Sequence, residues 1–118
     1  QDFNAGMLAC LSNIDRVHFC IGTHNEYSCQ LLVEEMVKKE IPYNHPNIYF
    51  AQLLGMSDNI SYNLAAAGYN VAKYVPYGPV ESVMPYLFRR AEENSSIAGQ
   101  TSREYTLLQN EVKRRKNA

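Results

Sequence analysis

The sequence predicts an α/β fold made of parallel strand–helix units, and more specifically the C-terminal portion of a (β/α)8 barrel. Three short apolar runs, at residues 17–21, 48–53 and 71–75, are each followed by a segment with the apolar spacing of a helix. Strands separated by single helices pair in parallel through right-handed crossovers. Three units alone would leave two open sheet edges and uncovered apolar strand faces, which favours a larger barrel. An open doubly wound sheet is the alternative, although no G-x-G-x-x-G motif follows any of the runs.

The helices that accompany these strands are predicted from apolar spacing and from start and stop signals. A first helix is predicted over residues 1–12. A second should run from Thr23 to about residue 39, because Thr23 and Glu26 match a capping box. A third is predicted over residues 58–67, with Gly68 suited to the left-handed position that ends a helix. The first residues look like an entry partway into a helix, so we expect residues 1–118 to be a single partial domain of a longer protein.

Prolines shape the region after the third strand. Pro79 suits the first position of a helix, and Pro85 is expected to kink that helix or to restart it, with Tyr86 onward in the second part. A break is predicted over residues 95–99, and a final amphipathic helix over residues 101–116. The predicted order is therefore a helix, three strand–helix units and a C-terminal helix.

Composition excludes several classes of protein. The hydrophobic content of 46% and charged content of 19% over 118 residues indicate one small globular domain. A net charge of -1 argues against a nucleic-acid binder, and no apolar run is long enough to predict a membrane span. Cys10, Cys20 and Cys29 include no C-x-x-C pair and read as reduced, mostly buried thiols of an intracellular protein. We expect no metal site, because no His or Cys pair has ligand spacing.

Polar residues follow the first strand where a helix begins. Thr23, His24 and Asn25 suit a phosphate or hydroxyl groups bound at a helix N-terminus. The simpler interpretation is that Thr23 or Asn25 only caps the helix. His24 could be a base, a metal ligand or a hydrogen-bonding wall, and the residues alone leave these roles open.

The ends of the second and third strands are less polar. Leu53 reads most simply as core, and Tyr74 either points into the mouth of the barrel or fills its interior. No Ser/His/Asp or Cys/His set and no pair of carboxylates for acid–base work can be found in the sequence. This pattern indicates chemistry carried by a cofactor, which the protein binds and orients.

A charged stretch from Tyr86 to Asn94 contains the most informative pattern in the chain. Residues three and four apart share a helix face, so Tyr86, Arg89, Arg90 and Glu93 should project to one side. Two adjacent guanidinium groups can hold a small carboxylate or a phosphate bidentately. The alternative is a solvated helix face with ion pairs between neighbouring turns.

Three motifs in order resemble the C-terminal part of the proline dehydrogenase family, whose members also form one domain of bifunctional proline utilisation A. The motifs are Gln52-Leu53-Leu54-Gly55-Met56, Lys73-Tyr74-Val75-Pro76-Tyr77-Gly78-Pro79-Val80 and Tyr86-Leu87-Phe88-Arg89-Arg90-Ala91-Glu92-Glu93-Asn94. The resemblance runs from about residue 15 to the end and includes Gly22-Thr23-His24-Asn25. It implies a distorted (β/α)8 TIM-like barrel that binds FAD without a Rossmann motif. The three predicted strands would be strands six to eight, with the last barrel helix lying over the barrel mouth.

For the substrate, the resemblance implies that Arg89 and Arg90 hold the carboxylate of L-proline, and that Arg90 also approaches the flavin. Tyr86 is implied as a further substrate residue. Leu53 would pack on the proline ring, and Tyr74 would line the ring pocket.

For the cofactor, the resemblance implies contacts from several other residues. Thr23, His24 and Asn25 would contact FAD, and Gln52 is assigned a flavin contact near the end of strand seven. Glu93 would support the last helix and the cofactor region through an ion pair.

The function that this resemblance implies is FAD-dependent oxidation of L-proline to Δ1-pyrroline-5-carboxylate, with electrons passing to a quinone or another respiratory acceptor. One alternative is a hydroxyproline dehydrogenase, against which Tyr74 argues because such members carry a smaller residue there. Another is a catalytically incomplete fragment or an interaction module. The basic end, Lys113 to Lys116, could contact anionic lipid or could be a solvated helix terminus. The expected location is the cytoplasmic side of a bacterial inner membrane, or the mitochondrial matrix and inner membrane in a eukaryote.

Overall fold

The chain folds into two units that differ in their secondary structure. A computed structural model describes the backbone of residues 1–95 and 98–117, and their side chains outside residues 94–102. The first unit is Gln1–Val75 and the second is Pro76–Ala118. The elements in order are α1 (Asp2–Ser12), β1 (Phe19–Gly22), α2 (Glu26–Lys38), β2 (Ile48–Leu53), α3 (Asp58–Ala66), β3 (Val71–Tyr74), α4 (Val80–Ser95) and α5 (Ala98–Lys116).

The first unit contains a three-stranded sheet in the order β1-β2-β3. Both strand pairs are parallel, with Ile21 beside Phe50 in the first pair and Phe50 beside Val71 in the second. Helix α2 connects β1 to β2 and helix α3 connects β2 to β3. The α/β class and the parallel strand–helix order predicted from the sequence are therefore confirmed.

One face of this sheet is covered by helices. Ile21, Ile48 and Phe50 alternate with exposed neighbours and are buried on this face. They pack in one apolar cluster with residues of all three helices, namely Met7, Leu11, Cys29, Leu32, Met36 and Ile60. Removal of this apolar surface from water is the main force that holds the unit together.

The opposite face of the sheet is open. Cys20, Tyr49, Ala72 and Tyr74 are exposed on it, and Leu53 is partly exposed. The pleat of each strand sends alternate side chains to opposite faces, so this set follows directly from the buried set. The helices of the first unit therefore pack on one side of the sheet only.

Two local details differ from the sequence prediction. The N-cap of α2 is Asn25 and not Thr23, so the proposed Thr23–Glu26 capping box is wrong. The Asn25 side chain accepts a hydrogen bond from the Ser28 N–H, while Thr23 Oγ1 accepts one from the Asn25 N–H. Strand β1 also starts and ends later than the predicted range of 17–21. The prediction followed the apolar run, whereas the strand follows the hydrogen bonds that β2 offers.

The second unit is helical. Helix α4 continues through Pro85, so a restart at Tyr86 is wrong. The carbonyl of Pro79 accepts hydrogen bonds from the N–H groups of Ser82 and Val83, which starts the helix immediately after this proline. Helix α5 begins at Ala98, earlier than predicted, and residues 96 and 97 of the expected break lie outside the described residues. Within the described part of the chain, no helix has the length and apolarity needed to cross a bilayer.

Candidate functional site

The carboxyl ends of the three strands bring the loops after β1 and β2 to the same edge of the sheet. Thr23 follows β1, and its N–H donates to the carbonyl of Ala51 on β2 at 3.2 Å. Leu54 follows β2, and its N–H donates to the carbonyl of Tyr74 on β3 at 3.0 Å. Ligands of parallel α/β sheets bind at this edge. The sequence-predicted residues of the first unit are therefore neighbours in space.

Leu53 and Tyr74 lie side by side on the open face of the sheet. They are register partners in adjacent strands, so their side chains leave the backbone in the same direction. The Tyr74 side chain is 53% exposed. Next to them, Gly22, Ala51 and Ala72 form a row across the three strands on the same face. A Cβ atom built on Gly22 would meet no atom within 4 Å. The result is an apolar wall beside a flat strip that carries little side-chain bulk.

His24 connects the loop after β1 to the loop after β2. Its Nδ1 lies 2.8 Å from Oγ of Ser57, a buried residue immediately before α3. This hydrogen bond fixes the position of the imidazole ring relative to the neighbouring loop. Asn25, next to His24, caps α2 through its side chain.

Gln52 lies on the helix-covered face, opposite to Leu53 and Tyr74. It is only 2% exposed, and its Nε2 donates to the carbonyl of Thr23 at 3.2 Å. Its Oε1 accepts a hydrogen bond of 2.9 Å from the hydroxyl of Ser61, which also donates to the carbonyl of Ser57 at 3.2 Å. Gln52 therefore holds the loop that carries Thr23 and His24 by a hydrogen bond from the helix-covered side of the sheet.

Lys73 is a site residue that the sequence did not single out. Its ammonium group donates to the carbonyl of Met56 at 2.6 Å and to that of Leu53 at 3.4 Å. It also pairs with Asp58 at 2.8 Å between Nζ and Oδ1. All three donors of a lysine are used in this arrangement. A single cation inside the apolar run at residues 71–75 is the signal that could have identified it.

Helix α4 carries the predicted arginine pair, which belongs to the second unit. Arg90 forms a two-pronged ion pair with Glu93, at 2.8 Å from Nη1 to Oε2 and 3.0 Å from Nη2 to Oε1. Glu93 therefore forms an ion pair within α4, and its expected support of a cofactor region stays a prediction. The Arg90 guanidinium also lies 5.4 Å from the centre of the Tyr86 ring, a cation–π distance. Arg89, the other member of the pair, is exposed.

The Nε–H donor of Arg90 takes no part in the pair with Glu93. Its Nε is covered from solvent and has no hydrogen-bond partner among the residues that the structure describes. A covered donor without an acceptor is costly, so it indicates a place where a ligand oxygen would be favourable. Glu93 thus pairs with Nη1 and Nη2 and does not use Nε.

The thiols do not supply a nucleophile to this site. Burial and the nearby Glu26 carboxylate raise the pKa of Cys29 to about 11, which keeps it a protonated thiol at neutral pH. Partial desolvation by neighbouring atoms also raises the pKa of the Cys20 thiol, although the residue is exposed. Cys29 is buried as expected, but Cys20 is exposed, so the prediction of mostly buried thiols is wrong for that residue. Among the described residues, no group of three acidic, His or Cys side chains could hold a metal ion.

Comparison with known proteins relates most of the chain to one family. Residues 1–103 match the family model described as proline dehydrogenase. Over 96 residues the chain is 50% identical to proline dehydrogenase 1, mitochondrial, of Homo sapiens, covering 80% of this chain and 16% of that protein. Over 110 residues it is 44% identical to hydroxyproline dehydrogenase of Mus musculus, covering 92% of this chain and 24% of that protein. Over 109 residues it is 39% identical to proline dehydrogenase 1, mitochondrial, of Drosophila melanogaster, covering 92% of this chain and 16% of that protein.

The matched segment is a small part of each relative. The chain spans between 16% and 24% of the length of these curated relatives. No solved structure matches it.

Proposed function

This chain belongs to the proline dehydrogenase family, and from that premise we propose that it is the C-terminal part of an enzyme that oxidises L-proline to Δ1-pyrroline-5-carboxylate with FAD. The observation that carries the proposal is the family match over residues 1–103, which includes every residue of the candidate site. The names of the relatives from Homo sapiens and Drosophila melanogaster support proline as the substrate.

The three strands are proposed to be strands six to eight of a distorted (β/α)8 TIM-like barrel, with residues 1–118 forming a single partial domain. The one-sided packing of the first unit supports this, because a doubly wound sheet carries helices on both faces. In a barrel the helices lie outside and the opposite strand face turns inward. The open face that carries Tyr49, Leu53 and Tyr74 would then be the barrel interior.

Arg89 and Arg90 are proposed to bind the carboxylate of proline, with Tyr86 as a further substrate residue. The Nε of Arg90, which has no acceptor among the described residues, supports this role, since Glu93 pairs with the Nη atoms of that guanidinium. Leu53 and Tyr74 supply an apolar wall for the carbon atoms of the ring.

The cofactor residues are proposed to be Thr23, His24 and Asn25, with Arg90 and Glu93 from α4. The loop fits part of such a group, because it leads into the N-terminus of α2, where backbone N–H groups favour phosphate oxygens. The flat strip of small residues beside it fits a planar ring system. FAD, when bound, supplies the acceptor for the hydride that leaves the ring carbon next to the proline nitrogen.

Gln52 completes the cofactor set in an indirect way. Its amide group donates to the Thr23 carbonyl from the helix-covered side of the sheet. We therefore propose that Gln52 acts on the flavin by holding the Thr23 loop in place.

Hydroxyproline oxidation is the second candidate, because relatives with that name match this chain at similar identity, for example 45% over 100 residues in Rattus norvegicus. Tyr74 favours proline, since its ring occupies space at the wall where an added hydroxyl group would need room. The resemblance ties smaller residues at this position to hydroxyproline.

The electron acceptor is proposed to be a quinone or another respiratory-chain component. The sequence suggests two locations, a bacterial inner membrane and a mitochondrion. Relatives that are named as mitochondrial favour the second. The basic last turn of α5 is proposed as a peripheral lipid contact. Arg114 and Arg115 in this turn pair with Glu111. These ion pairs are equally consistent with the alternative, a solvated helix terminus.

Turnover by the full-length protein tests the proposal. Purified protein should show a flavin absorbance band and should reduce an artificial electron acceptor with L-proline at a higher kcat/KM than with trans-4-hydroxy-L-proline. Preference for hydroxyproline would select the second candidate, and absence of both flavin and turnover would overturn both. The isolated 118 residues should self-associate through the open sheet face and should not retain FAD stoichiometrically. A flavin-bound monomer of this length would contradict the proposed division of the barrel.

A further inference from the structure

Ser57 has an unusual backbone and an unusual use of its side chain. It is one of two non-glycine residues with positive φ among the described residues, at φ 51° and ψ 41°. It occupies the N-cap position of α3, yet its side chain makes no cap hydrogen bond. Serine at an N-cap normally accepts a hydrogen bond from the first turn of the helix. Ser57 therefore has a strained backbone, and its hydroxyl group does not cap α3.

The hydroxyl of Ser57 instead reaches the loop after β1. Its Oγ lies 2.8 Å from Nδ1 of His24, 33 residues earlier in the chain, and the residue is 3% exposed. Glycine would adopt this backbone without strain, as Gly55 does two residues earlier at φ 78°. A serine at this place is explained by its hydroxyl group and not by the turn.

A second connection joins the same two loops. Ser61, one turn further along α3, donates to the Ser57 carbonyl and to Oε1 of Gln52. Gln52 in turn donates to the carbonyl of Thr23, the residue before His24. The first turn of α3 thus holds Thr23 through its backbone and His24 through its side chain. Two connections that converge on adjacent residues define both the position and the rotation of the imidazole ring.

We propose that Ser57 is a positioning residue that orients His24 for contact with the cofactor. The inference rests on the proposed function, in which Thr23, His24 and Asn25 bind FAD. Ser57 does not touch the cofactor in this account, and its effect passes through the imidazole ring. Backbone strain at Ser57 is the structural cost of directing its hydroxyl away from α3 and toward His24.

The test compares two replacements of Ser57 in the full-length protein. Ser57→Gly keeps the left-handed backbone and removes the hydroxyl, whereas Ser57→Asn tolerates that backbone and restores a hydrogen-bonding side chain. Glu40→Gly is the matched control, because exposed Glu40 has φ 55° and lies outside the site. The readouts are the melting temperature, the Kd for FAD from absorbance titration, and the visible circular dichroism of the bound flavin.

We expect Ser57→Gly to melt no lower than the wild type, to bind FAD about tenfold more weakly and to change the flavin dichroism. Ser57→Asn should recover part of the affinity, and Glu40→Gly should leave all FAD readouts unchanged. Unchanged FAD affinity and dichroism in Ser57→Gly would overturn the inference while leaving the proposed function intact. A wild-type protein that binds no FAD would overturn the proposed function as well.

A double-mutant cycle with His24→Ala covers the case in which Ser57→Gly lowers the melting temperature. If Ser57 acts through His24, Ser57→Gly should weaken FAD binding no further once His24 is alanine. Additive losses of affinity would show that Ser57 acts only through the general stability of the turn, and would refute the positioning role.

Discussion

Replacing Gln52 with leucine should destabilise the first unit by more than its small change in size suggests. The Gln52 side chain is 2% exposed, and it donates to the Thr23 carbonyl and accepts from the Ser61 hydroxyl. Each internal hydrogen bond contributes about 0.5–1.5 kcal/mol net. Ser61 keeps the Ser57 carbonyl as an acceptor, whereas the Thr23 carbonyl loses the Gln52 donor. Burial of the leucine offsets part of the loss, so we expect a net destabilisation of about 1–2 kcal/mol.

The matched control is Gln30→Leu, because Gln30 is exposed on α2 and donates only within that helix to Glu34 at 2.8 Å. An exposed pair of this kind contributes less than about 0.5 kcal/mol. The free energy of unfolding should be measured by urea titration of the full-length protein, followed by circular dichroism. The Kd for FAD should rise in Gln52→Leu and stay constant in Gln30→Leu. Equal stabilities of the two variants would refute the reasoning about the buried amide.

Three further changes test other parts of the structure. Phe50→Ala removes a fully buried side chain at the centre of the sheet. The free energy of unfolding in urea should fall by about 3–5 kcal/mol, and a fall below about 1 kcal/mol would show that Phe50 is not part of the core. The pKa of Cys29 is raised to about 11 in the folded state, above the ordinary thiol value of about 8.5. The protonated Cys29 thiol therefore contributes its full share of stability only below a pH of about 8.5. Unfolding free energy should therefore fall as pH rises through about 11, and less so in Cys29→Val. In Tyr74→Ser, kcat/KM for hydroxyproline divided by kcat/KM for proline should rise about tenfold. An unchanged ratio would show that Tyr74 does not select between the two substrates.

The elements of this fold could be predicted because local patterns determine them. Apolar runs at residues 48–53 and 71–75 identified β2 and β3 almost to the residue, since the paired residues coincide with the apolar runs there. Leu53 and Tyr74 could be placed together because parallel strands end at the same edge. The start of α2 could be predicted only to within a few residues, at Thr23 and not at Glu26, because Thr23, Asn25 and Glu26 all suit the same turn.

Contacts between distant residues could not be predicted in the same way. The Ser57–His24 bond spans 33 residues, and the Lys73–Met56 bond spans 17. Nothing in local spacing distinguishes a serine that caps a helix from one that turns toward another loop. Gln52 could be assigned to the site but not to a face of the strand, because a shift of one residue moves a side chain to the other face. Pro85 predicts a kink or a restart of α4, and the restart does not occur because the helix tolerates the loss of one backbone donor.

The most direct test of the central claim is the kinetic effect of removing each arginine of α4 in the full-length protein. Arg89→Met and Arg90→Met each leave a bound carboxylate half paired, a loss of about 2–5 kcal/mol. The corresponding fall in kcat/KM for L-proline is between about 30-fold and about 4,000-fold. Arg16→Met is the control, because Arg16 is exposed and outside the site, and it should leave kcat/KM unchanged. Wild-type kcat/KM in both α4 variants would contradict the account of this chain as the carboxylate clamp of a proline-oxidising enzyme.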